Sequence, residues 1–239
     1  MIWTLFKRDI KTIWRESFVI FGLVTPFFMA LILRTIVYFI EKNMGIPGGL
    51  SAEYSLLMSL MLIIVSPMLM GTAGGFLILD DRDQGILKTL KVTPLQTSTY
   101  LVFRLTFLTL LSAVVVLLAI PVCGLVPFTL SMIPTVLMTS LLMPLTALFI
   151  ASFAGNKVEG FAMMKASGFF TMAPVAAFFI KNLWHYAFAI IPTYWSLFGF
   201  DFCVKGDPRL WLYVAVGFVF QGILIWILAK VFSAKISTN

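Results

Sequence analysis

The chain has 239 residues, of which 61% are hydrophobic and only 11% are charged. A soluble domain carries about 25% charged residues, so this composition excludes an ordinary soluble protein and indicates a polytopic membrane protein. At about 20 residues per membrane-spanning helix, the length allows about six spans and leaves few residues for a domain outside the membrane. The net charge of +7 is explained by basic residues in cytoplasmic loops, and we therefore expect no nucleic-acid partner.

The N-terminal stretch, residues 1–17, has the pattern of an amphipathic helix. Apolar side chains recur at helical spacing, and four basic side chains lie between them: Lys7, Arg8, Lys11 and Arg15. We expect this helix to lie in the inner interface of the membrane. No small-residue cleavage site follows, so the first long apolar run is expected to remain as a span.

Six apolar runs follow, and each is expected to cross the membrane as a helix. Arg34, in the outer half of the first run, is expected either to reach the outer headgroups or to face a protein interior or a substrate path. Gly71 and Gly75 in the second run form a pattern that lets two helix backbones approach closely. The predicted spans are residues 18–40, 54–79, 101–121, 132–153, 166–180 and 210–232.

The longest polar interval runs from Asp80 to Tyr100, between the second and third spans. Three acids open it, and such an acidic start is favourable at the N-terminus of a new helix. Apolar and basic side chains follow, until Thr93 and Pro94 break the pattern. The interval predicts a short interfacial helix over residues 84–93, with its acids acting as an N-terminal cap.

The fifth run is short for a span, at 15 residues, and a second apolar piece interrupted by Pro192 follows it. We expect residues 181–209 to form a re-entrant or outer-interface hairpin that is rich in aromatic side chains. The two cysteines, Cys123 and Cys203, would both lie near the outer face. The sequence leaves open whether they form a disulfide.

The distribution of basic residues supports six spans with both termini in the cytoplasm. In that topology twelve basic residues lie on the inner side and four on the outer side. The inner residues are Lys7, Arg8, Lys11, Arg15, Arg82, Lys88, Lys91, Arg104, Lys157, Lys165, Lys230 and Lys235, and the outer ones are Lys42, Lys181, Lys205 and Arg209.

The chemistry that most enzymes and ion-driven carriers need is missing from the sequence. There is no phosphate-binding GxxxxGK[ST] motif, and the single histidine, His185, has no partner for a metal or a catalytic triad. Ion-driven carriers usually need buried carboxylates, and the acids here lie at span edges. A subunit driven by a separate ATPase fits best; the alternative is a membrane-embedded immunity or scaffold protein that binds a peptide without transport.

The chain resembles the permease subunits of ABC-2 type ATP-binding cassette exporters over nearly its whole length. The most specific match is residues 75–94, GFLILDDRDQGILKTLKVTP. In that family an acidic residue and a glycine lead into a helix that ends in a small residue and a proline. Aspartate and threonine stand here where many members have glutamate and serine. The matching positions are Asp81 or Asp83, Gly85, Leu87, Leu90, Thr93 and Pro94.

The resemblance implies that residues 84–93 are a coupling helix that docks in a cleft of an ABC ATPase subunit. It implies a pair of permeases, identical or different, in the cell membrane of a bacterium or archaeon. The chain itself would bind no cofactor, because the ATPase partner would bind ATP and magnesium. The expected substrate is hydrophobic or amphipathic (a drug, a peptide antibiotic or a lipid), and the sequence does not choose among these.

Overall fold

The computed structural model describes residues 17–44, 52–86, 97–180 and 182–238, and all of the regular structure in these ranges is helical. The predicted interfacial helix, residues 1–17, lies outside the described residues except for Ser17. The described helices, numbered in chain order, are α1 (Ser17–Met44), α2 (Ala52–Asp83), α3 (Thr97–Cys123), α4 (Met132–Ser140), α5 (Leu142–Phe153), α6 (Lys157–Phe179), a 3-10 helix (Leu183–Ile190), α7 (Pro192–Lys205) and α8 (Leu210–Thr238).

Six helical segments of the described chain are long and apolar enough to cross a membrane. They are α1, α2, α3, the pair α4 and α5, α6, and α8. The prediction of an all-helical membrane protein with six spans is therefore confirmed. α4 and α5 form one span with a break at Leu141, because Pro144 has no N–H to give to the carbonyl of Ser140 and its ring crowds that carbonyl.

The helix that contains the fifth predicted span, α6, begins at Lys157, before the predicted start of the span at residue 166. Asn156 caps the helix by accepting a hydrogen bond from the Glu159 N–H at 2.9 Å. The Glu159 carboxylate in turn accepts from the Gly155 N–H at 2.6 Å. Such reciprocal bonds satisfy N–H groups that a helix start leaves open, so residues 157–165, between the fourth and fifth predicted spans, belong to α6.

The centre of the bundle is the contact between α2 and α5, which are its most buried spans. Gly71 and Gly75 lie in this contact: a methyl group on Gly71 would lie 2.5 Å from the Met143 carbonyl oxygen, and one on Gly75 would lie 3.0 Å from Ile150 Cβ. Only residues without a side chain allow this approach, as in other membrane helix pairs. α1, α3, α6 and α8 surround the pair and expose many apolar side chains.

The bundle has two ends, which we name after one residue each. At the Asp81 end, α2 and α5 finish and α3 and α6 begin. At the Arg34 end, α1 and α3 finish and α8 begins. From the end of α6 the chain passes through the 3-10 helix to Pro192. The Pro192 carbonyl accepts a hydrogen bond from Gln221 in the middle of α8. From there α7 leads back to the start of α4, where Cys203 contacts Ser131. The re-entrant character of this segment stays a prediction.

Candidate functional site

A buried ion pair joins the end of α2 to the start of α3. The Arg104 guanidinium donates to the Asp81 carboxylate and to the Tyr100 hydroxyl, and that hydroxyl donates to Asp81 Oδ2 at 3.0 Å. All three side chains are buried. Tyr100 and Arg104 lie one turn apart on α3, which places both on the face toward α2. Arg104 lies near the inner end of the third apolar run, where a long basic side chain can reach the membrane surface, and the structure holds it inside the bundle instead.

The acids of the polar interval are in a different place from the one that we predicted. Asp80, Asp81 and Asp83 occupy the last turn of α2, the helix that precedes the predicted one. Carboxylates are unfavourable at a helix C-terminus, where the backbone carbonyls already concentrate negative charge. Cationic partners offset this cost: Arg104 binds Asp81, and Lys157 Nζ on α6 lies 2.6 Å from Asp80 Oδ1.

Two cations bind the carboxyl end of α5. Arg82 donates to the carbonyls of Ala154 and Gly155 at 3.1 and 2.6 Å. Lys235, near the end of α8, donates to the carbonyls of Ser152 and Ala154 at 2.8 and 3.0 Å. The last carbonyls of a helix lack partners within the helix and favour positive charge, so this arrangement stabilises the end of α5.

Three consecutive residues thus connect α2 to three neighbouring helices. Side chains of consecutive residues on a helix point about 100° apart. Asp80 therefore reaches α6, Asp81 reaches α3 and Arg82 reaches the end of α5, which Lys235 connects to α8. We call this set the charged cluster: Asp80, Asp81, Arg82, Tyr100, Arg104, Lys157 and Lys235.

Gly85 ends α2 next to the charged cluster. Its backbone has φ of +72°, and its N–H donates to the Arg82 carbonyl at 3.0 Å. A left-handed glycine at this position is a common helix stop, so Gly85 closes α2. The next residue, Ile86, is helical again, and the part of the predicted coupling helix after it lies outside the described residues. Asp83 is exposed, with its carboxylate 3.9 Å from Arg82 Nε. Four predicted coupling residues lie outside the described residues: Leu87, Leu90, Thr93 and Pro94.

Arg34 lies far from the charged cluster, at the other end of the bundle. It donates to the Val122 carbonyl at 3.4 Å, in the last turn of α3, where a cation is favourable. Gly71 and Gly75 lie in the contact of α2 with α5. The structure therefore places Arg34, Gly71 and Gly75 in contacts between helices.

The cysteines and the histidine lie in packed surroundings and form no catalytic or metal site among the described residues. Among the described residues, no group of three His, Cys, Asp or Glu side chains could hold a metal. Cys123 and Cys203 are buried free thiols, with no disulfide between them. The His185 ring lies 4.1 Å from that of Tyr186 and 5.4 Å from that of Phe198, within the aromatic surface of the 3-10 helix and α7.

Known proteins resemble this chain over most of its length. The family model described as "Fluoroquinolones export permease protein Rv2686c-like" matches residues 9–229. Two relatives come from Mycobacterium tuberculosis: "Fluoroquinolones export permease protein MT2760" from strain CDC 1551 / Oshkosh, and "Fluoroquinolones export permease protein Rv2686c" from strain ATCC 25618 / H37Rv. Each is 27% identical over 236 residues, covering 96% of this chain and 92% of the relative. No solved structure matches the chain.

Proposed function

The chain belongs to the Rv2686c-like family of fluoroquinolones export permeases, and on that premise we propose that it is the transmembrane subunit of an ATP-driven ABC-2 type exporter. A separate ATPase supplies the energy, and a second permease, identical or different, completes the path. The substrate is an amphipathic aromatic drug of the kind that the relatives' names state. The membrane is that of a bacterial or archaeal cell.

The observation that supports this proposal is the position of the charged cluster. The chain enters residues 87–96 from α2 and leaves them into α3, and the Asp81–Arg104 pair joins those two helices. A partner that grips residues 87–96 pulls on both helices at once. The other bonds of the cluster pass the displacement to α5, α6 and α8. Transmission of ATP-driven movement needs physically connected contacts of this kind between the gripped segment and the spans.

In this proposal the Asp81 end faces the cytoplasm. Arg82, Arg104, Lys157 and Lys235 all lie at that end, and basic residues accumulate on the cytoplasmic side of membrane proteins. Both chain termini are then cytoplasmic, in line with the even number of spans. The 3-10 helix and α7 belong to the outer half, where we propose that they form the re-entrant hairpin.

A substitution of Leu90 tests the proposal. The resemblance to ABC-2 permeases implies that Leu90 belongs to the coupling helix that docks on the ATPase. The permease is co-expressed with the ATPase encoded beside it and reconstituted in proteoliposomes. We expect Leu90→Asp to abolish ATP-dependent drug transport and drug-stimulated ATP hydrolysis without loss of expression. Leu130→Asp is the matched control, since Leu130 is an exposed leucine at the Arg34 end, and it should keep both activities.

Normal coupling in the Leu90→Asp variant would rule out the assignment of residues 84–93 as the coupling helix. Absence of ATP-dependent drug efflux from proteoliposomes that contain the wild-type permease and its ATPase would reject the ATP-driven exporter altogether. That second result would favour the alternative, a membrane protein that sequesters its ligand without transport.

A further inference from the structure

A cleft of about 310 Å³ opens between α5, α6 and α8, with Met68 of α2 at its side. It follows α5 from Leu142 to Phe153, a length of about 16 Å at 1.5 Å per residue. Phe153 is the last residue of α5, so the cleft occupies the half of the bundle toward the Asp81 end. The turn between the 3-10 helix and α7 closes the other end of the cleft with Ile190, Pro192 and Thr193.

Hydrogen bonds to both side walls hold this turn, which we call the roof, in place. The Thr193 hydroxyl donates to the Phe170 carbonyl of α6. On the other side, Gln221 Nε2 of α8 donates to the Pro192 carbonyl at 3.3 Å and to Ser196 Oγ at 3.4 Å. Gln221 is fully buried. The roof therefore separates the cleft from the Arg34 end by hydrogen-bonded backbone.

The lining has the chemistry of a site for a flat aromatic molecule. Phe149 meets Phe170 edge to face, with ring centroids 5.9 Å apart and an interplanar angle of 88°, and Phe153 lies 5.2 Å from Phe149. Aromatic rings and a methionine sulfur favour a further ring at such distances. The hydroxyls of Ser167 and Thr193 donate to backbone carbonyls of α6, so their oxygens can still accept a hydrogen bond from a ligand.

We propose that this cleft binds the planar aromatic drug that the permease exports, with the roof as the barrier that the drug must pass. The inference rests on the proposed function and adds the location of the site, within one permease chain. The volume lies at the lower end of the range for drug-sized pockets, about 300–1,000 Å³. The lining carries no charged side chain, so the charged groups of an amphipathic drug stay at the open mouth.

The hydroxyl oxygens and the aromatic rings of the lining also distinguish a drug from a lipid as the occupant. A lipid acyl chain would fit the length of the cleft. Such a chain carries no hydrogen-bond donor for the oxygens of Ser167 and Thr193 and has no ring to pack against Phe149 and Phe170.

Binding is measured with the full-length chain alone in lipid nanodiscs, without ATPase or nucleotide, by the fluorescence anisotropy of ofloxacin. We expect saturable binding that Ser167→Phe weakens at least tenfold, because the new ring fills the cleft. Phe170→Ala should weaken it about threefold or more by removing one aromatic wall. The matched controls are their neighbours on α6, Ala166→Phe and Phe169→Ala, whose exposed side chains do not line the cleft. Both controls should leave the affinity unchanged.

Absence of saturable binding, or wild-type affinity in Ser167→Phe, would overturn the proposal. Equal losses in Ser167→Phe and Ala166→Phe would also overturn it, because they would place the effect on α6 as a whole. Ofloxacin affinity that is unchanged while Ser167→Phe loses a co-purified phospholipid would assign the cleft to lipid. This experiment uses no ATP, so its failure is distinct from failure of the Leu90→Asp test of the exporter.

Discussion

At the scale of single residues, the Asp81–Arg104 pair is the most consequential contact that the structure adds. Three acids in the polar interval look alike in the sequence, and only one of them is buried against an arginine. Nothing in the local pattern distinguishes Asp81 from Asp83, because the difference depends on which face of α2 meets α3. Arg104 was visible as a charge in an apolar run, which is itself a signal of a buried partner.

The burial of this pair predicts unequal effects for two neighbouring aspartates. Asp81→Asn should lower the free energy of unfolding by about 3–5 kcal/mol, because it leaves the buried Arg104 without its counter-ion. Asp83→Asn should cost less than about 1 kcal/mol, since Asp83 is exposed. Thermal unfolding in one detergent compares the two variants. A loss in Asp81→Asn as small as that expected for Asp83→Asn would contradict the stabilising role of the buried pair.

A pair of glycine substitutions tests whether the close packing of α2 against α5 stabilises the fold. Gly71→Ala should destabilise the fold by about 1–3 kcal/mol, because its methyl group would meet the Met143 carbonyl and Thr146 Cβ, at 2.5 and 2.7 Å. Gly222→Ala on α8 is the matched control, since no atom lies within 4 Å of the added methyl group. Alanine is the better helix former by about 1 kcal/mol, so the control should be neutral or stabilising. Loss of stability in both variants would reject the packing explanation.

At the scale of elements, the apolar runs predicted the helices well, and the polar interval was harder to interpret. Apolar composition shows where a helix must lie in lipid, and it says little about how far the helix continues beyond the lipid. α2 therefore extends through its acids to Asp83, and α6 begins at Lys157, although both segments are polar. The Asn156 and Glu159 pair is a capping pattern that could have been recognised from the sequence.

The cap of α6 gives an element-scale prediction. Asn156→Ala should cost about 0.5–2 kcal/mol, because the Glu159 N–H loses its acceptor and the first turn of the helix frays. Hydrogen exchange of the amides in residues 157–160 should quicken, while that of α5 stays unchanged. Asn43→Ala is the control: Asn43 donates to the Phe39 carbonyl at the exposed end of α1 and caps no helix start. Slow exchange at residues 157–160 in Asn156→Ala would contradict the assignment of the cap.

At the scale of the whole molecule, the six-span plan follows from composition, whereas the connections between spans do not. Residues far apart in the chain meet in the charged cluster, such as Arg82 with Ala154 and Lys235 with Ser152. The cleft likewise combines side chains of four helices and the roof. Such contacts depend on the order in which helices pack around α2, and a single sequence carries no direct signal of that order.

The carbonyl of Ala154, which two cations share, allows a test of whether α2 and α8 are coupled through the end of α5. Arg82 and Lys235 both donate to it, from α2 and α8. Either donor alone satisfies the oxygen, so Arg82→Gln and Lys235→Gln should each cost little. The double variant leaves the carbonyl without either cation, and its loss of stability should exceed the sum of the single losses by about 1 kcal/mol or more.

The control cycle pairs Arg82→Gln with Lys205→Gln. Lys205 binds Asp201 at the Arg34 end and shares no partner with Arg82, so these changes should add within about 0.5 kcal/mol.

If the charged cluster relays force, the Arg82 and Lys235 double variant should also keep ATP hydrolysis while losing most drug transport, because α8 no longer follows α2. Additive stabilities together with full transport would show that the end of α5 is no link between α2 and α8.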